Sequence, residues 1–404
     1  MATGDKAGRS GLFAVSTLIE TAGREAAVGD PSLLDTPGLR ALSEGLEEAS
    51  GALHFIGRRR AQKLLIETLV KRLRVESHLR REPQIREIRL AAPIFLVAPF
   101  RTGTTLLHRL LAQDPAHRTV RLWEALQAPP VEPLLRGDPA YFERDYRVDI
   151  ARRYLETRER YSPLMAAIHP TWVDAPEECF GLIETSMLSH SFMFYAPVTS
   201  YLEWLDARSD ADWRAAYALY ADQLRLLHWW WPADRWVLKT PFHMWAVDAL
   251  SSTFPDAVIV QQHRSPADCV ASFCSLVAEA YAPIVTKVDR MQIGRMSMRY
   301  LRDALARNAT ARARLPAERL IDIDYRDLTA DPVGCARRVY DAAGAPLPPA
   351  AEKRMRDWLA RQEKKRSGGA DHRYALEDYG LEGSEVDAAF APYAAYNAPA
   401  RPLT

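Results

Sequence analysis

The amino-acid sequence predicts an α/β fold in which a mostly parallel sheet is flanked by helices. Residues 94–98 form a short apolar run of strand length, followed by a glycine-containing turn and an amphipathic helix. Further strand-like runs at 235–239, 258–264 and 320–325 are also followed by helix-start signals. Repeated strand–helix units favour parallel strands joined by right-handed crossovers. In such sheets ligands bind beyond the carboxyl ends of the strands.

The helix starts after the later strands share one design. Thr240, Ser265 and Asp331 each precede a proline, so each is a candidate N-cap followed by a residue suited to the first helical turn. Asp268, three residues after Ser265, completes a pair that resembles a capping box.

The chain before the sheet, residues 1–90, is predicted to be helical and packed on the core. Its strongest segment, 53–81, has apolar residues at helical spacing and a basic face that includes Lys71. We interpret this face as solvated, with a membrane-surface or partner helix as the alternative. The α/β domain is predicted over 91–375.

Two further regions complete the predicted organisation. A helical, aromatic-rich insertion covers residues 140–231 and is a candidate lining for an acceptor pocket. Residues 376–404 form a C-terminal extension.

Composition excludes several classes of function. The 404 residues carry a formal net charge of +1, so no global field favours nucleic acid, and any anion must be bound locally. The sequence contains neither an apolar run of transmembrane length nor a signal peptide, so we expect a cytoplasmic protein without an integral membrane segment. Oligomeric state is not predicted.

The turn after the first strand is a candidate anion-binding loop. A strand, a turn containing Gly103 and a helix N-terminus place backbone N–H groups and a positive dipole end together. Arg101, Thr102, Thr104 and Thr105 add side-chain donors at the same place.

Two more cations fall at equivalent positions. Lys239 ends the second long strand and Arg264 the third, so a parallel sheet would bring both to the same edge as Arg101. Ser272 lies on the same helix face as Ser265, about two turns into the helix. Such a set would bind a ligand with several phosphate-like groups.

The loop is not a Walker A motif, because the pattern G-x-x-x-x-G-K-[ST] is missing. The strand ends also offer no obvious carboxylate for magnesium, so we expect no metal. A small-molecule kinase and a non-catalytic nucleotide-binding protein are the alternatives to transfer of an already activated group.

These motifs resemble those of the PAPS-dependent sulfotransferases, most closely the bacterial branch with an arginine in the loop. Residues 99–105 resemble the family's 5′-phosphosulfate loop, with Phe100 inserted and Thr102 where serine is usual. Residues 264–272 resemble its 3′-phosphate segment, and 238–241 and 324–328 resemble further family landmarks.

The resemblance implies a P-loop-nucleotide-kinase-like fold, PAPS as co-substrate and PAP as product. By the same resemblance Thr102, Gly103, Thr104 and Thr105 hold the 5′-phosphosulfate, while Arg101 stabilises the bridging oxygen. Arg264 and Ser272 bind the 3′-phosphate, Tyr325 approaches the adenine, and Lys239 binds the sulfuryl group. Residues 361–374 would close over the 3′-phosphate, with Arg366, Gly368 and Arg373 as candidates.

The general base is not fixed by the motifs, because Pro241 stands where cytosolic sulfotransferases carry histidine. Glu124, 23 residues after Arg101, is preferred by similarity to carbohydrate and tyrosylprotein sulfotransferases, with a helix-start salt bridge as the structural alternative. The remaining base candidates are, in order, His243 and His169, then Glu177 and Glu178. The expected acceptor is a hydroxyl of a small molecule, lipid or carbohydrate.

Overall fold

A five-stranded parallel sheet lies at the centre of the computed structural model, which describes residues 11–127, 129, 145–365 and 374–394. Within these residues the strands are β1 Ile94–Leu96, β2 His117–Arg118, β3 Arg235–Lys239, β4 Val258–His263 and β5 Leu320–Asp324. Their order is β2-β3-β1-β4-β5, and every pairing is parallel. The predicted α/β class is therefore confirmed.

The sheet separates two apolar layers, because successive side chains of a strand point to opposite faces. Phe95 and Leu238 belong to one layer, which extends into the N-terminal and inserted helices. Leu96 and Val237 belong to the other, which is covered by helices that follow β1 and β5.

The chain before the sheet is helical in its described part. Its α-helices are α1 Val15–Ala26, α2 Pro37–Ala49 and α3 Phe55–Arg81, with 3₁₀ turns at Pro31–Leu34 and Pro83–Glu87. Thr36 caps α2 by accepting a hydrogen bond from the Leu39 N–H at 3.2 Å. Residues from α1, α2 and α3 belong to the same apolar cluster as Phe95, so this segment packs on the sheet domain.

Helix α4 follows β1, and further helices lie between β2 and β3. Their bounds are α4 Thr104–Leu111, α5 Leu122–Leu126, α6 Tyr146–Tyr161, α7 Pro163–Ile168, α8 Phe180–Ile183, α9 Thr199–Asp206 and α10 Asp210–Trp230. Two 3₁₀ turns, Glu184–Ser186 and His190–Phe194, lie between α8 and α9.

The remaining helices surround β4 and β5. Their bounds are α11 Val247–Thr253, α12 Pro266–Tyr281, α13 Arg290–Arg312, α14 Tyr325–Ala330, α15 Pro332–Ala342, α16 Pro349–Lys365, α17 Gly383–Ala389 and α18 Ala391–Ala394. The 3₁₀ turns here are Pro241–Ala246, Ala317–Arg319 and Glu377–Tyr379. Among the helices of the described ranges, we find none with both the length and the apolarity needed to cross a bilayer.

The predicted solvated face of α3 is wrong at Lys71. This residue is buried, and its ammonium group donates to the carbonyl oxygens of Ala125 at 2.7 Å and Gly181 at 3.4 Å. It lies one turn before Val75, on a side of the helix that packs against the insertion. Burial lowers the pKa of Lys71.

Two of the expected helix caps are also wrong. Thr240 makes no side-chain cap, because its hydroxyl donates to Glu178 Oε2 at 3.4 Å. Asp268 accepts from Arg264 Nε at 3.1 Å instead of closing a capping box, whereas Ser265 does accept from the Asp268 N–H.

The inserted Phe100 anchors the turn after β1. Its ring stacks on Phe273 of α12, with centroids 4.3 Å apart and planes 11° apart, and meets Phe194 and Phe242 edge-on. Phe100 is buried, so this inserted residue fixes the loop to α12 through Phe273 and to the insertion through Phe194.

We expect Phe100→Ala to lower the free energy of unfolding by about 3–5 kcal/mol, because it removes a buried aromatic ring. Urea denaturation of the purified protein measures this change. Phe55→Ala is the matched control: Phe55 is 66% exposed and should change stability by less than about 0.5 kcal/mol. Equal losses in the two variants would contradict the anchoring role of Phe100.

Candidate active site at the carboxyl edge of the sheet

The turn after β1 leads directly into α4, whose N-terminus has no side-chain cap. Gly103 takes the N-cap position with φ of 85°, and a β-carbon there would lie 2.7 Å from Leu328 Cδ2. Arg101 also has a positive φ, 67°, which is costly for a residue with a side chain. The uncapped N–H groups of the first turn are therefore available to an anion.

The threonines of the loop have different environments. Thr102 is fully buried, and its hydroxyl donates to Pro99 O at 2.8 Å, so this hydroxyl holds the turn together. Thr104 is buried in the first turn of α4, and Thr105 is half-buried beside it. Thr105 faces the end of β3, where its Oγ1 accepts from Lys239 Nζ at 3.4 Å.

Lys239 joins the loop to the insertion. Register places it beside Leu96, the last residue of β1, and its side chain is buried. Its Nζ lies 2.6 Å from Glu178 Oε1, and Glu178 Oε2 accepts from the Thr240 hydroxyl. A buried cation, a loop hydroxyl and a carboxylate thus meet at the carboxyl edge of the sheet.

Arg264 lies beside the same loop. Its Nη1 donates to the backbone oxygen of Arg101 at 3.1 Å, and its guanidinium lies 4.6 Å from the centre of the Tyr325 ring. The Tyr325 ring also packs against Gly103, where it would be 3.2 Å from an added β-carbon. Ser272 is buried in α12, about two turns after its start.

The segment before α8 brings a histidine and a second carboxylate to the site. His169 Nε2 lies 3.1 Å from Glu177 Oε1, and the Thr171 hydroxyl donates to Glu177 Oε2 at 3.2 Å. Arg101 Nη1 donates to Ile168 O at 3.4 Å, which places this segment next to the loop. Burial raises the pKa of Glu177, but its electrostatic and hydrogen-bond contacts with His169, together with the charge of Lys239, outweigh it and lower this pKa overall.

The contacts of Glu124 favour a structural role over the preferred role as base. Its Oε1 accepts from Arg118 Nη2 at 2.7 Å, and its Oε2 accepts from the Arg121 N–H at 3.0 Å. Burial raises the pKa of Glu124, yet the charge and hydrogen bonds of Arg118 lower it overall. This carboxylate therefore holds the start of α5, as the structural alternative predicted.

His243 is not suited to act as a base either. It is fully buried, with Tyr217 OH 2.7 Å from Nδ1 and Cys179 Sγ 3.3 Å from Nε2. Burial lowers its pKa to about 3, so the ring is neutral and enclosed in the aromatic core.

The structure thus brings together Arg101, Thr105, Lys239 and Arg264 with the base candidates His169, Glu177 and Glu178. Arg366, Gly368 and Arg373, expected to close over the 3′-phosphate, lie outside the described residues.

Two arginines, Arg109 and Arg158, were not predicted from the sequence; they donate to the backbone carbonyls of Pro170 and His169. Arg109 could have been found, because it lies one helical turn after Thr105.

The fold and the site together define an α/β protein with a candidate anion-binding loop, a second cation beside it and carboxylates next to the loop. Residues 93–349 match the family model described as the sulfotransferase family. The chain belongs to this family, and the predicted membership is confirmed.

Three mycobacterial proteins are among those to which the chain is similar. The chain is similar to the crystal structure of sulfotransferase STF1 from Mycobacterium tuberculosis H37Rv, with 30% identity and a TM-score of 0.81 over 95% of this chain and 100% of that one. STF9 from Mycobacterium avium is 25% identical, with a TM-score of 0.83 over 96% and 98% of the two chains. The omega-hydroxy-beta-dihydromenaquinone-9 sulfotransferase Stf3 of Mycobacterium tuberculosis is 26% identical over 280 residues, and the match spans 66% of each chain.

Acid sensitivity follows from two buried histidines, His108 and His243, each with a pKa of about 3. The unfolded chain binds protons at these sites below about pH 6.5, while the folded chain does not. The contribution of these histidines to the free energy of unfolding is therefore complete above pH 6.5. It falls as the pH drops toward 3, by up to about 1.4 kcal/mol per pH unit for each histidine. We expect His243→Gln to flatten this slope between pH 6.5 and 5 in urea titrations; parallel slopes would contradict it.

Proposed function

We propose that this protein transfers a sulfuryl group from PAPS to a hydroxyl group of an acceptor and leaves PAP. The observation that supports the proposal most is the contact of Lys239 with both Thr105 and Glu178. Transfer of a sulfuryl group needs a cation, loop donors and a base within reach of one another, and these residues supply all three.

Two anion sites support a donor with phosphate groups at both ends. In the proposed complex the N-terminus of α4 holds the 5′-phosphosulfate through its uncapped N–H groups and Thr105. Arg264, bonded to the Arg101 carbonyl, holds the 3′-phosphate together with Ser272. A nucleotide without the 3′-phosphate would lose the contact with Arg264.

We assign the general base to Glu178. It takes the proton of the acceptor hydroxyl as the acceptor oxygen bonds to sulfur and the bond from sulfur to the 5′-phosphate oxygen breaks. PAP leaves with the electron pair of that bond, and Arg101 stabilises the charge on its oxygen. Protonation removes the negative charge of Glu178. The positive charge of the Lys239 ammonium, 2.6 Å away, is then no longer neutralised by this carboxylate and stabilises the transferring group more strongly.

The pair of His169 and Glu177 is the second base candidate. The lowered pKa of Glu177 keeps this carboxylate ionised, and its contact with Nε2 orients the imidazole ring. His169 is partly exposed, so it is open to an acceptor from the solvent side.

The acceptor class includes lipids. The relative Stf3 is named for omega-hydroxy-beta-dihydromenaquinone-9, a hydroxylated, lipid-like quinone. That match covers 66% of the relative's length, and an acceptor of this type is part of the proposal for this chain.

The donor is tested by thermal shift with PAP, ADP and ATP, each with and without magnesium. We expect PAP to stabilise the protein selectively and without magnesium, by about 2.7 kcal/mol at 100 times its dissociation constant. Arg264→Ala should weaken PAP binding about 10- to 100-fold, because it removes a charged hydrogen bond to phosphate. It should change ADP binding much less.

Stabilisation only by ATP with magnesium would overturn the proposed donor. Equal losses of PAP and ADP affinity in Arg264→Ala would show that this residue does not bind the 3′-phosphate. Arg290→Ala, at the exposed start of α13, is a matched control expected to leave both affinities unchanged.

The base is tested by Glu178→Gln, which keeps the shape of the side chain but cannot take a proton. We expect kcat to fall at least about 100-fold, with PAP affinity within about threefold of wild type. Initial rates of sulfate transfer from labelled PAPS, over a range of pH values, provide the measurement.

Glu124→Gln is the matched control, because it makes the same chemical change at the carboxylate bound by Arg118. It should lower stability by breaking a buried ion pair, while the folded fraction keeps its turnover. If Glu178→Gln retains turnover and His169→Ala does not, the base is His169.

A further inference from the structure

Helix α7 has an unusual combination of composition and exposure. Its six residues, Pro163–Ile168, are all apolar, yet none is buried. Leu164, Met165 and Ile168 are half-buried, and Trp172, four residues after the helix, is 42% exposed. An apolar surface of this kind beside a binding site is typical of a wall that contacts an apolar ligand.

Polar contacts of the backbone hold this segment in place. The carbonyl oxygens of three consecutive residues, 168 to 170, are each bound by a different arginine. Arg101 Nη1 donates to Ile168 O at 3.4 Å, Arg158 Nη2 donates to His169 O at 2.8 Å, and Arg109 Nη2 donates to Pro170 O. The Arg109 guanidinium also lies 4.9 Å from the centre of the Trp172 ring.

Two of these arginines tie the segment to the proposed donor site. Arg101 belongs to the anion-binding loop and Arg109 to α4, the helix that the loop begins. The same segment carries His169, which contacts Glu177, the neighbour of Glu178 in sequence. Helix α7 also packs against α12, whose N-terminus follows Arg264. The segment that carries this apolar surface therefore lies beside the proposed point of transfer.

We propose that residues 163–172 form the acceptor-binding wall and that the acceptor carries its hydroxyl on an extended apolar chain. The chain lies along Leu164, Met165 and Ile168, with Trp172 at the edge, while the hydroxyl reaches Glu178. Arg109 and Arg158 are positioning residues, because they hold the wall through its carbonyl oxygens and do not contact the reacting atoms. This inference rests on the proposed function, and it names the acceptor class of the same site.

The test uses a series of unbranched primary alcohols, from 1-butanol to 1-octanol, with the PAP-loaded full-length protein. Saturation-transfer NMR gives the dissociation constants, and initial rates with PAPS give kcat/KM. We expect affinity to rise with chain length by up to about fourfold per methylene. The variant Leu164→Ser/Met165→Ser should reduce this dependence and weaken 1-octanol binding at least tenfold, with PAP affinity unchanged.

Ile56→Ser is the matched control, because Ile56 is an apolar residue 68% exposed on α3, outside the proposed site. It should bind the alcohols as wild type does. The proposal that residues 163–172 form the wall would be overturned if affinity for the alcohols did not depend on chain length. An equal loss of affinity in Ile56→Ser would overturn it too. Failure of the proposed function gives a different result: no sulfate transfer occurs and PAP does not stabilise the protein, regardless of how the alcohols bind.

The positioning role is tested by Arg158→Gln against Arg153→Gln, an exposed arginine on the same helix. Arg158→Gln should raise KM for 1-octanol about three- to tenfold and leave kcat and PAP affinity within twofold. Arg153→Gln should change none of these. A loss of kcat at constant KM, or equal effects of the two variants, would overturn the positioning role.

Discussion

The contact of Lys239 with Glu178 and Thr105 joins three parts of the chain that are distant in sequence. Lys239 ends a central strand, Thr105 lies in the first turn of the helix after the candidate anion-binding loop, and Glu178 belongs to the long insertion. A buried ammonium group without a partner would be costly, so this carboxylate and hydroxyl also stabilise the folded site. The insertion is thereby fixed against the loop, beside the proposed donor site.

Parallel strand order explains why cations from different strands meet. Because β1, β3 and β4 run in the same direction and are neighbours, the residues that follow them lie at one edge of the sheet. Arg264 is close enough to bond the Arg101 carbonyl. Phe100, stacked on Phe273 of α12, holds the loop in place at this edge.

The three glutamates considered as bases differ in role because their surroundings differ, although their side chains are identical. Glu124 is held by Arg118 at a helix start, Glu177 is held by His169, and Glu178 alone contacts the cation beside the loop among these three. His243 shows the same principle, because its burial in the aromatic core lowers its pKa to about 3. Sequence spacing carries no information about such contacts, which explains why the order of base candidates changed.

The sequence by itself determined the α/β class and the cations at the strand ends, and it marked the candidate anion-binding loop, because these depend on local periodicity and on residues adjacent to strands. It also indicated Glu177 and Glu178, but only behind other candidates. Tertiary structure decided which carboxylate meets Lys239, why Phe100 is present and that Lys71 is buried, since each depends on contacts between segments far apart in the chain. It also placed the apolar helix α7 beside the site. Arg109 and Arg158, which hold the segment after this helix, belong to no motif. The candidate anion loop of 99–105 depends on residues adjacent in sequence, whereas the proposed acceptor side depends on contacts that only the fold creates.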